Sequence, residues 1–579
     1  MKQHEIAELF NEMGDLLELK GENPFRIRAY RRAALQLEQF TGDLQSLADE
    51  GRLKELPGIG EDLSNKIAEY LSHGRIKALD WLRQKTPPGV LEMLRIPGVG
   101  PKTAQLLSKK LKIESVSQLK SAAENHKLRS LPGFQAKKEQ AILKGIEILQ
   151  KGQARMHLGI AYPLAQTILA FLGKLPGVTR TSTAGSLRRM RETIGDLDVL
   201  AASSTPRRII EAFCKAPFCQ RVLAAGDTKA SILTRETVQV DLRVVKPESF
   251  GAALQYFTGS KEHNVRLREL AGKQGFKINE YGIFQLKNNR KVGGREEADI
   301  YKALGLSWIP PELREDGGEL DAAKSGSLPD LVEAKDLCGD FHIHSNWSDG
   351  VASLEAVAKA GQAKGYAYIA LNDHSQSLKV ANGMSIARIR SQMKEVAALN
   401  AKFKSFRMLM GSEVDILNDG SLDYPDEVLA ELDFVIGSIH SGFTQNESTL
   451  TRRMTTAMRN PYLTLIAHPT GRLMGQREPY AINLDEVFKA AKQTKTAMEI
   501  NAYPRRLDLC DTAARKAKEM GVMLAISTDT HSLDNFDNMT FGLGVARRAW
   551  LEPKNLLNCL NLAALIRWIA EQRTFKKKL

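Results

Sequence analysis

Six of the chain's eleven histidines fall between His342 and His531, and each stands at or just beyond the end of an apolar run as long as a β-strand. The runs lead through Asp340-Phe341-His342-Ile343-His344, with Asp349 following, then Tyr368 to His374, Met408 to Glu413, Phe434 to His440, Leu463 to His468, and Leu524 to His531 by way of Asp529. Side chains alternate faces along a strand, so His342 with His344, and Asp529 with His531, would each project to one side. The imidazole and carboxylate groups so gathered are His342, His344, Asp349, His374, Glu413, His440, His468, Asp529 and His531. Such nitrogen and oxygen donors suit zinc, manganese or iron better than calcium, and they outnumber what a single ion takes. A cluster of about two or three ions sharing ligands is therefore expected.

Counting Ala497-Met498-Glu499-Ile500-Asn501, this region has about seven strands, separated by helical segments such as Ser353 to Lys364 and Cys510 to Met520. Strand-helix alternation argues for a parallel barrel or sheet with its active site at the C-terminal ends of the strands.

At 579 residues, 43% of them hydrophobic, the chain is long enough for several cores. No apolar stretch approaches the roughly 18 residues of a membrane span, and Met1-Lys2-Gln3-His4-Glu5 lacks the basic-then-apolar order of a secretion signal, so a cytoplasmic protein is expected. Cys214, Cys219, Cys338, Cys510 and Cys559 are too few and scattered for a disulfide framework. The net charge of +14 favours a polyanionic partner such as nucleic acid.

Residues 1 to about 150 carry helical periodicity interrupted by a recurring phrase: Leu56-Pro57-Gly58-Ile59-Gly60, Ile96-Pro97-Gly98-Val99-Gly100 and, in weaker form, Leu131-Pro132-Gly133-Phe134. This resembles the helix-hairpin-helix DNA-binding motif. Gly58, Gly60, Gly98 and Gly100 would let the hairpin backbone approach a phosphate, with Lys102 beside the second copy, and the following helix N-terminus would bind it. Backbone is engaged this way rather than base sequence.

Between these regions the pattern is mixed α/β, with a long apolar helix from Tyr162 to Leu175. Gly185-Ser186-Leu187-Arg188-Arg189 precedes Gly195-Asp196-Leu197-Asp198, and Asp241 lies in the alternating run Val238 to Val244. Asp196 and Asp198 are two apart on a predicted strand and Asp241 sits on a second. Three carboxylates on adjacent strands can hold two magnesium ions, one activating a hydroxyl and one clamping a triphosphate. Gly185 and Ser186 supply amides and a hydroxyl for its phosphates, helped by Arg189.

Here the chain resembles the family X DNA polymerases, through Gly185 to Asp198, Asp241 and Tyr256-Phe257-Thr258-Gly259-Ser260. The C-terminal set resembles the polymerase and histidinol phosphatase domain, and both in this order resemble the bacterial branch of the family over essentially the whole chain. The resemblance implies that Asp196, Asp198 and Asp241 are catalytic metal ligands and that Arg155, Ser186, Arg189 and Gly195 contact the triphosphate. It places Tyr256 and Phe257 beside the nucleotide sugar, Gly259 among the nucleotide-binding residues, Asn264 and Arg268 at the nascent pair's minor groove, and Lys277 to Tyr281 on the template. Lys261 and Val265 depart from the beta polymerase, which has an acid and a lysine there. Lys66 matches the family's Schiff-base lysine, although Asp62 replaces a basic neighbour.

The resemblance implies an all-α helix-hairpin-helix region, an α/β nucleotidyltransferase palm with a thumb or fingers subdomain, and a C-terminal (β/α)7-type distorted TIM-like barrel. Expected boundaries are 1–85 and 86–154 for the helical domains, 155–248 for the palm, 249–314 for the nascent-base-pair subdomain, 315–335 for a linker and 336–579 for the metal domain. Magnesium or manganese is expected in the palm, and two or three manganese, zinc or iron ions in the barrel. The expected partners are gapped or primer-template DNA and dNTPs, acting on a monomer with no membrane association. The expected activities are gap filling in base excision repair, with 3'-5' exonuclease or abasic-site cleavage in the barrel. A purely structural metal domain and a fused small-molecule phosphatase are the competing readings.

Overall fold

The computed structural model describes residues 2–39, 44–56, 58–94, 96, 99–131, 134–150 and 155–579. The chain divides into two compact units, Met1–Ala154 and Arg155–Leu579.

The first unit is helical, as its periodicity predicts, and holds two cores. One gathers Phe10, Tyr30, Leu37 and Ile67 from helices Lys2–Lys20, Pro24–Gln39 and Glu61–His73. The other gathers Met93, Leu107, Leu119 and Ile142. The same backbone hydrogen bond recurs at each copy of the repeated phrase: Ile59 N donates to Leu56 O, Val99 N to Ile96 O and Phe134 N to Leu131 O, at 2.9–3.1 Å. Each central apolar side chain is buried and so anchors its turn. Gly60 and Gly100 then cap helices Glu61–His73 and Pro101–Leu111 with extended backbone, while Gly58 takes the left-handed φ of +78° that glycine accommodates best.

The second unit begins with a two-stranded ladder, β1 (Met156–His157) and β3 (Thr193–Ile194). These flank β2 (Val178–Thr183), which joins β4 (Leu197–Ser203), β5 (Cys219–Ala225), β6 (Lys229–Thr234) and β7 (Gln239–Val245) in a five-stranded sheet of order β2-β4-β7-β6-β5. Only β4 and β7 run parallel. Val240, Leu242 and Val244 are buried in period-two alternation against helices Leu158–Gly173 and Pro206–Cys214, which turns Asp241 to the opposite face.

Helices Phe250–Thr258 and Lys261–Lys273 follow, with a small antiparallel sheet of β8 (Phe276–Asn279), β9 (Gly282–Gln285) and β10 (Lys291–Gly293). The stretch 315–335, expected as a linker, is not a free polar tether. It forms helix Glu319–Ser325, whose Leu320 and Ala323 join Leu331 in a core with Ile300, Tyr301 and Ile309. Glu319, fully buried, accepts a hydrogen bond from His263 at 2.7 Å.

Seven parallel strands complete the chain: β11 (Gly339–Ile343), β12 (Tyr368–Leu371), β13 (Arg407–Asp415), β14 (Phe434–Ser438), β15 (Leu465–Ile466), β16 (Ala497–Asn501) and β17 (Leu524–Ser527), each paired with the next in sequence. The ring closes through a parallel bridge of Ile343 with Thr530, where His344 N donates to Thr530 O at 2.7 Å and Thr530 N to His342 O at 3.1 Å. Phe341 of β11 stacks on Phe434 of β14 with centroids 4.8 Å apart, a meeting of non-neighbouring strands that ring closure permits. Among the described residues no helix is long and apolar enough to cross a membrane.

Candidate active sites

All nine side chains picked out at the strand ends converge at the C-terminal mouth of this barrel. Glu413, within β13, is the hub. Its Oε1 lies 2.9 Å from His468 Nε2 and 3.2 Å from His440 Nε2. Its Oε2 lies 3.0 Å from His374 Nδ1, 3.3 Å from His342 Nε2 and 3.5 Å from His344 Nε2. On the other side Asp349 Oδ2 is 3.5 Å from both His374 Nε2 and His531 Nε2, and Asp529 Oδ1 is 3.6 Å from His342 Nε2. Burial opposes charge on Glu413, but His342, His374 and His440 outweigh it and hold the carboxyl well below the usual range.

The cluster fits metal ions. His342 Nε2, both nitrogens of His344 and His374 Nδ1 are buried without a hydrogen-bond partner, a costly condition that a cation on each ring's lone-pair nitrogen would relieve. Their ligand atoms crowd within 4.8 Å in three overlapping groups: His344, Asp349, His374 and His531; His342, His344 and Asp529; His374, Glu413 and His440. Groups that overlap through His344 and His374 could hold more than one ion side by side.

Strand alternation accounts for only part of this. His342 is on β11 and His344 is the first residue beyond it, as expected. Asp529 is not on a strand: β17 ends at Ser527, and Asp529 turns into the site with φ +53°. His468 likewise lies beyond β15 with φ +28°. The expectation that Asp529 and His531 share a strand face is thus corrected; a turn delivers them.

Sequence reasoning missed the groups that orient the ligands. Glu499 on β16, fully buried, accepts from His342 Nδ1 at 2.8 Å, from His468 N at 2.5 Å and from Asn501 Nδ2 at 3.1 Å. Asp415 accepts from His440 Nδ1 at 2.5 Å. These carboxylates fix which imidazole nitrogen faces the cluster. Arg506 Nε stands 3.4 Å from Asp529 Oδ2. The one available signal was an isolated acid in an apolar strand.

In the palm, Asp198 on β4 is register partner to Asp241 on β7. Asp196 lies just before β4 rather than on it, so the expected two-apart strand pair is instead a strand residue and its approach. Burial, then Asp196 and Asp241, push Asp198 up to about 7. A buried carboxyl whose charge is opposed by two acidic neighbours makes a ready seat for a divalent cation. Their atoms are more open than the barrel cluster and do not crowd within the same 4.8 Å.

Gly185 opens the short helix Gly185–Arg188 at φ +57°, and a Cβ there would stand 2.2 Å from Asp198 Oδ2. Ser186 follows on the same turn. Arg155 donates to Thr193 Oγ1 and O at 2.9 and 2.6 Å, which sets its Nη1 3.4 Å from a Cβ built on Gly195. Arg189 Nε donates to Glu315 at 3.0 Å and its Nη1 to Thr258 O, next to Gly259. Tyr256 and Phe257 meet edge to face at 5.1 Å. Asn264 donates to Tyr256 O at 2.7 Å, and Arg268 is exposed one turn later on helix Lys261–Lys273.

In the helical unit Lys66 is mostly buried and bonded to Asp62, whose Oδ2 also accepts from Tyr30 at 3.3 Å. Lys102 is exposed at the start of helix Pro101–Leu111. Gly98 lies outside the described residues.

Compared with known proteins, the chain is 42% identical over 564 residues to the DNA polymerase/3'-5' exonuclease PolX of Bacillus subtilis (strain 168), covering 97% of this chain and 98% of that relative. The chain belongs to the family X DNA polymerases. This family X polymerase matches the DNA polymerase beta thumb over residues 253–315, a helix-hairpin-helix domain over 1–76, a SAM-like helix-hairpin-helix tandem over 90–147 and the PHP domain over 340–503. The PHP match stops before Asp529 and His531, which the barrel nevertheless brings to the cluster. The polymerase is also 26% identical over 342 residues to DNA polymerase lambda of Rattus norvegicus, covering 54% of each chain. Over 230 residues it is 27% identical to a probable phosphatase of Thermoanaerobacter sp. (strain X514), covering 38% of this chain and 89% of that one.

Proposed function

We propose that this polymerase fills short gaps during DNA repair, base excision repair included, and that its barrel cleaves DNA phosphodiesters at 3' ends or abasic sites. The observation that carries the reading is the presence, in one unit, of two cation-ready centres: Asp198 opposite Asp241 beside Gly185, and the histidine cluster around Glu413. The 3'-5' exonuclease in the name of the Bacillus subtilis relative supports the nuclease half.

In this reading Asp196, Asp198 and Asp241 hold magnesium or manganese, while Arg155, Ser186, Arg189 and Gly195 receive the triphosphate of a dNTP. Tyr256 and Phe257 flank its sugar, Gly259 joins them in binding the nucleotide, and Asn264 and Arg268 face the nascent pair. The nine barrel residues hold two or three manganese, zinc or iron ions. Such ions, when bound, activate the attacking group and neutralise phosphate charge. The chain's own part is to fix ligand orientation through Glu499 and Asp415 and to present Arg506 beside the cluster. Gly58, Gly60, Gly98, Gly100 and Lys102 grip backbone phosphates, and Lys66 serves as a lyase nucleophile.

The test is one-nucleotide gap filling and 3'-end or abasic-site cleavage, with magnesium and with manganese, by wild type, Asp198→Ala and the double variant His344→Ala with His468→Ala. Asp198→Ala should lose only nucleotide addition and the double variant only cleavage. Unchanged cleavage by the double variant would sink the nuclease reading, and addition indifferent to the template base would sink templated synthesis. The likeness to a probable phosphatase favours one second reading, small-molecule phosphate hydrolysis. Turnover of histidinol phosphate without cleavage of any DNA substrate would establish it.

A further inference from the structure

The palm segment Arg189–Glu192, which runs from the Gly185–Ser186 turn toward Asp196, is gripped by the barrel domain at both ends. At one end Arg548, on helix Met539–Arg548, donates from Nη1 to Arg189 O and to Glu315 Oε1, both at 2.9 Å. Its Nε and Nη2 reach Asp511 Oδ2 at 2.8 and 2.6 Å. The same Glu315 oxygen accepts from Arg189 Nε at 3.0 Å and lies 3.8 Å from Arg191 Nη1. One carboxylate oxygen therefore faces three guanidinium groups. At the other end Arg472 forks onto Glu192 at 3.1 and 2.6 Å. Between them Met190, at φ +52°, packs where Gly544 lacks a side chain, since a Cβ there would meet Met190 Cε at 2.7 Å.

The arrangement is dry on the side of Arg189 and Arg548, whose side chains are 13% and 4% exposed, while Glu315 is 26% exposed. Charges in such a setting are weakly screened, so how Glu315 divides its attraction matters. We infer that Arg548 of the barrel domain is a positioning residue for nucleotide addition. By sharing Glu315, it keeps Arg189 from being held fast by that carboxylate and so available to a triphosphate. The inference rests on the reading of Arg189 as a triphosphate contact. Arg189 already has Nε on Glu315 and Nη1 on Thr258 O. Deprived of Arg548, Glu315 would turn wholly to Arg189 and Arg191 and compete with the incoming phosphates.

The test is steady-state addition of a single dNTP to primer-template DNA by the full chain. Arg548→Ala should raise KM for the dNTP about fivefold or more while kcat stays within about twofold, and Arg548→Lys should lie nearer wild type. Adding Glu315→Gln to Arg548→Ala should bring KM back toward wild type, a reversal that mere loss of interdomain packing would not produce. Cleavage at the barrel site, unchanged in these variants, reports that each is folded. Should Arg548→Ala fold poorly, Glu315→Gln alone decides, with KM at or below the wild-type value expected. An unchanged KM in a folded Arg548→Ala, a double variant no better than the single, or a raised KM in Glu315→Gln would each overturn the inference. An unchanged KM in Arg189→Ala would instead show that Arg189 does not meet the triphosphate, overturning that reading and the inference with it.

Discussion

Gly185 and Asp198 approach so closely that no side chain fits between them: a Cβ on Gly185 would stand 2.2 Å from Asp198 Oδ2 and 3.1 Å from its Cγ. The turn opened by Gly185 and the carboxylate of Asp198 are thus positioned by one contact.

Gly185→Ala should therefore cost nucleotide addition about a hundredfold or more, since a displaced Asp198 is misplaced relative to its cation. The φ of +57° adds about 1 kcal/mol of strain for any other residue. Barrel-site cleavage should be untouched. Primer extension and DNA cleavage on the same preparation check this.

Glu499→Gln should weaken metal binding at the barrel about 10- to 100-fold, because the carboxylate that orients the His342 ring and holds the backbone amide of His468 would lose its charge. Metal retained after dialysis against a weak chelator measures it. Addition of dNTPs should proceed at the wild-type rate, and a fully loaded variant would contradict the role assigned to Glu499.

Glu297 ties the palm to the subdomain that follows. It accepts from Arg188 at 2.7 and 2.8 Å, from Arg314 at 2.6 Å and from Trp308 at 3.0 Å. Burial raises its affinity for a proton, but Arg314 and Arg188 prevail and lower it to about 2. A carboxyl depressed on folding contributes stability that is complete above its unfolded pKa of about 4.3 and lost as pH falls toward the folded value. Glu297→Gln should cost about 3 kcal/mol at neutral pH, leaving the fully buried Arg314 unpaired. The gap to wild type should narrow as pH falls through the interval below about 4.3. Urea unfolding at a series of pH values measures both.

Lys66 is bonded to Asp62 and must leave it before its amine can attack an aldehyde. Asp62→Asn should raise the yield of borohydride-trapped adduct on a 5'-deoxyribose-phosphate end, and Lys66→Ala should abolish it. Trapping that survives Lys66→Ala would remove Lys66 from the lyase role.

The barrel's six histidines were legible because each stands at or just beyond the end of a short apolar run, and Asp241 because its strand alternates around it; such punctuation survives without knowledge of the fold. Glu499 was not legible: it is one acid in a strand, and His342, the group that gives it meaning, is 157 residues away. Helix Glu319–Ser325 hid in a polar stretch because seven residues show barely two turns, and Leu320 and Ala323 alone mark its buried face. The turn carrying Asp529 was invisible for a related reason, since alternation cannot announce where a strand stops.

The bridge of Ile343 to Thr530 also sets an order of events as the chain is synthesised. The palm carboxylates are all on the chain by Asp241, whereas the barrel must wait for its last strand before His344 and His531 can share a cluster. A chain ending before Thr530 would thus carry the palm carboxylates without the closing bridge that brings His344 and His531 together, and without the Arg548 that reaches Arg189.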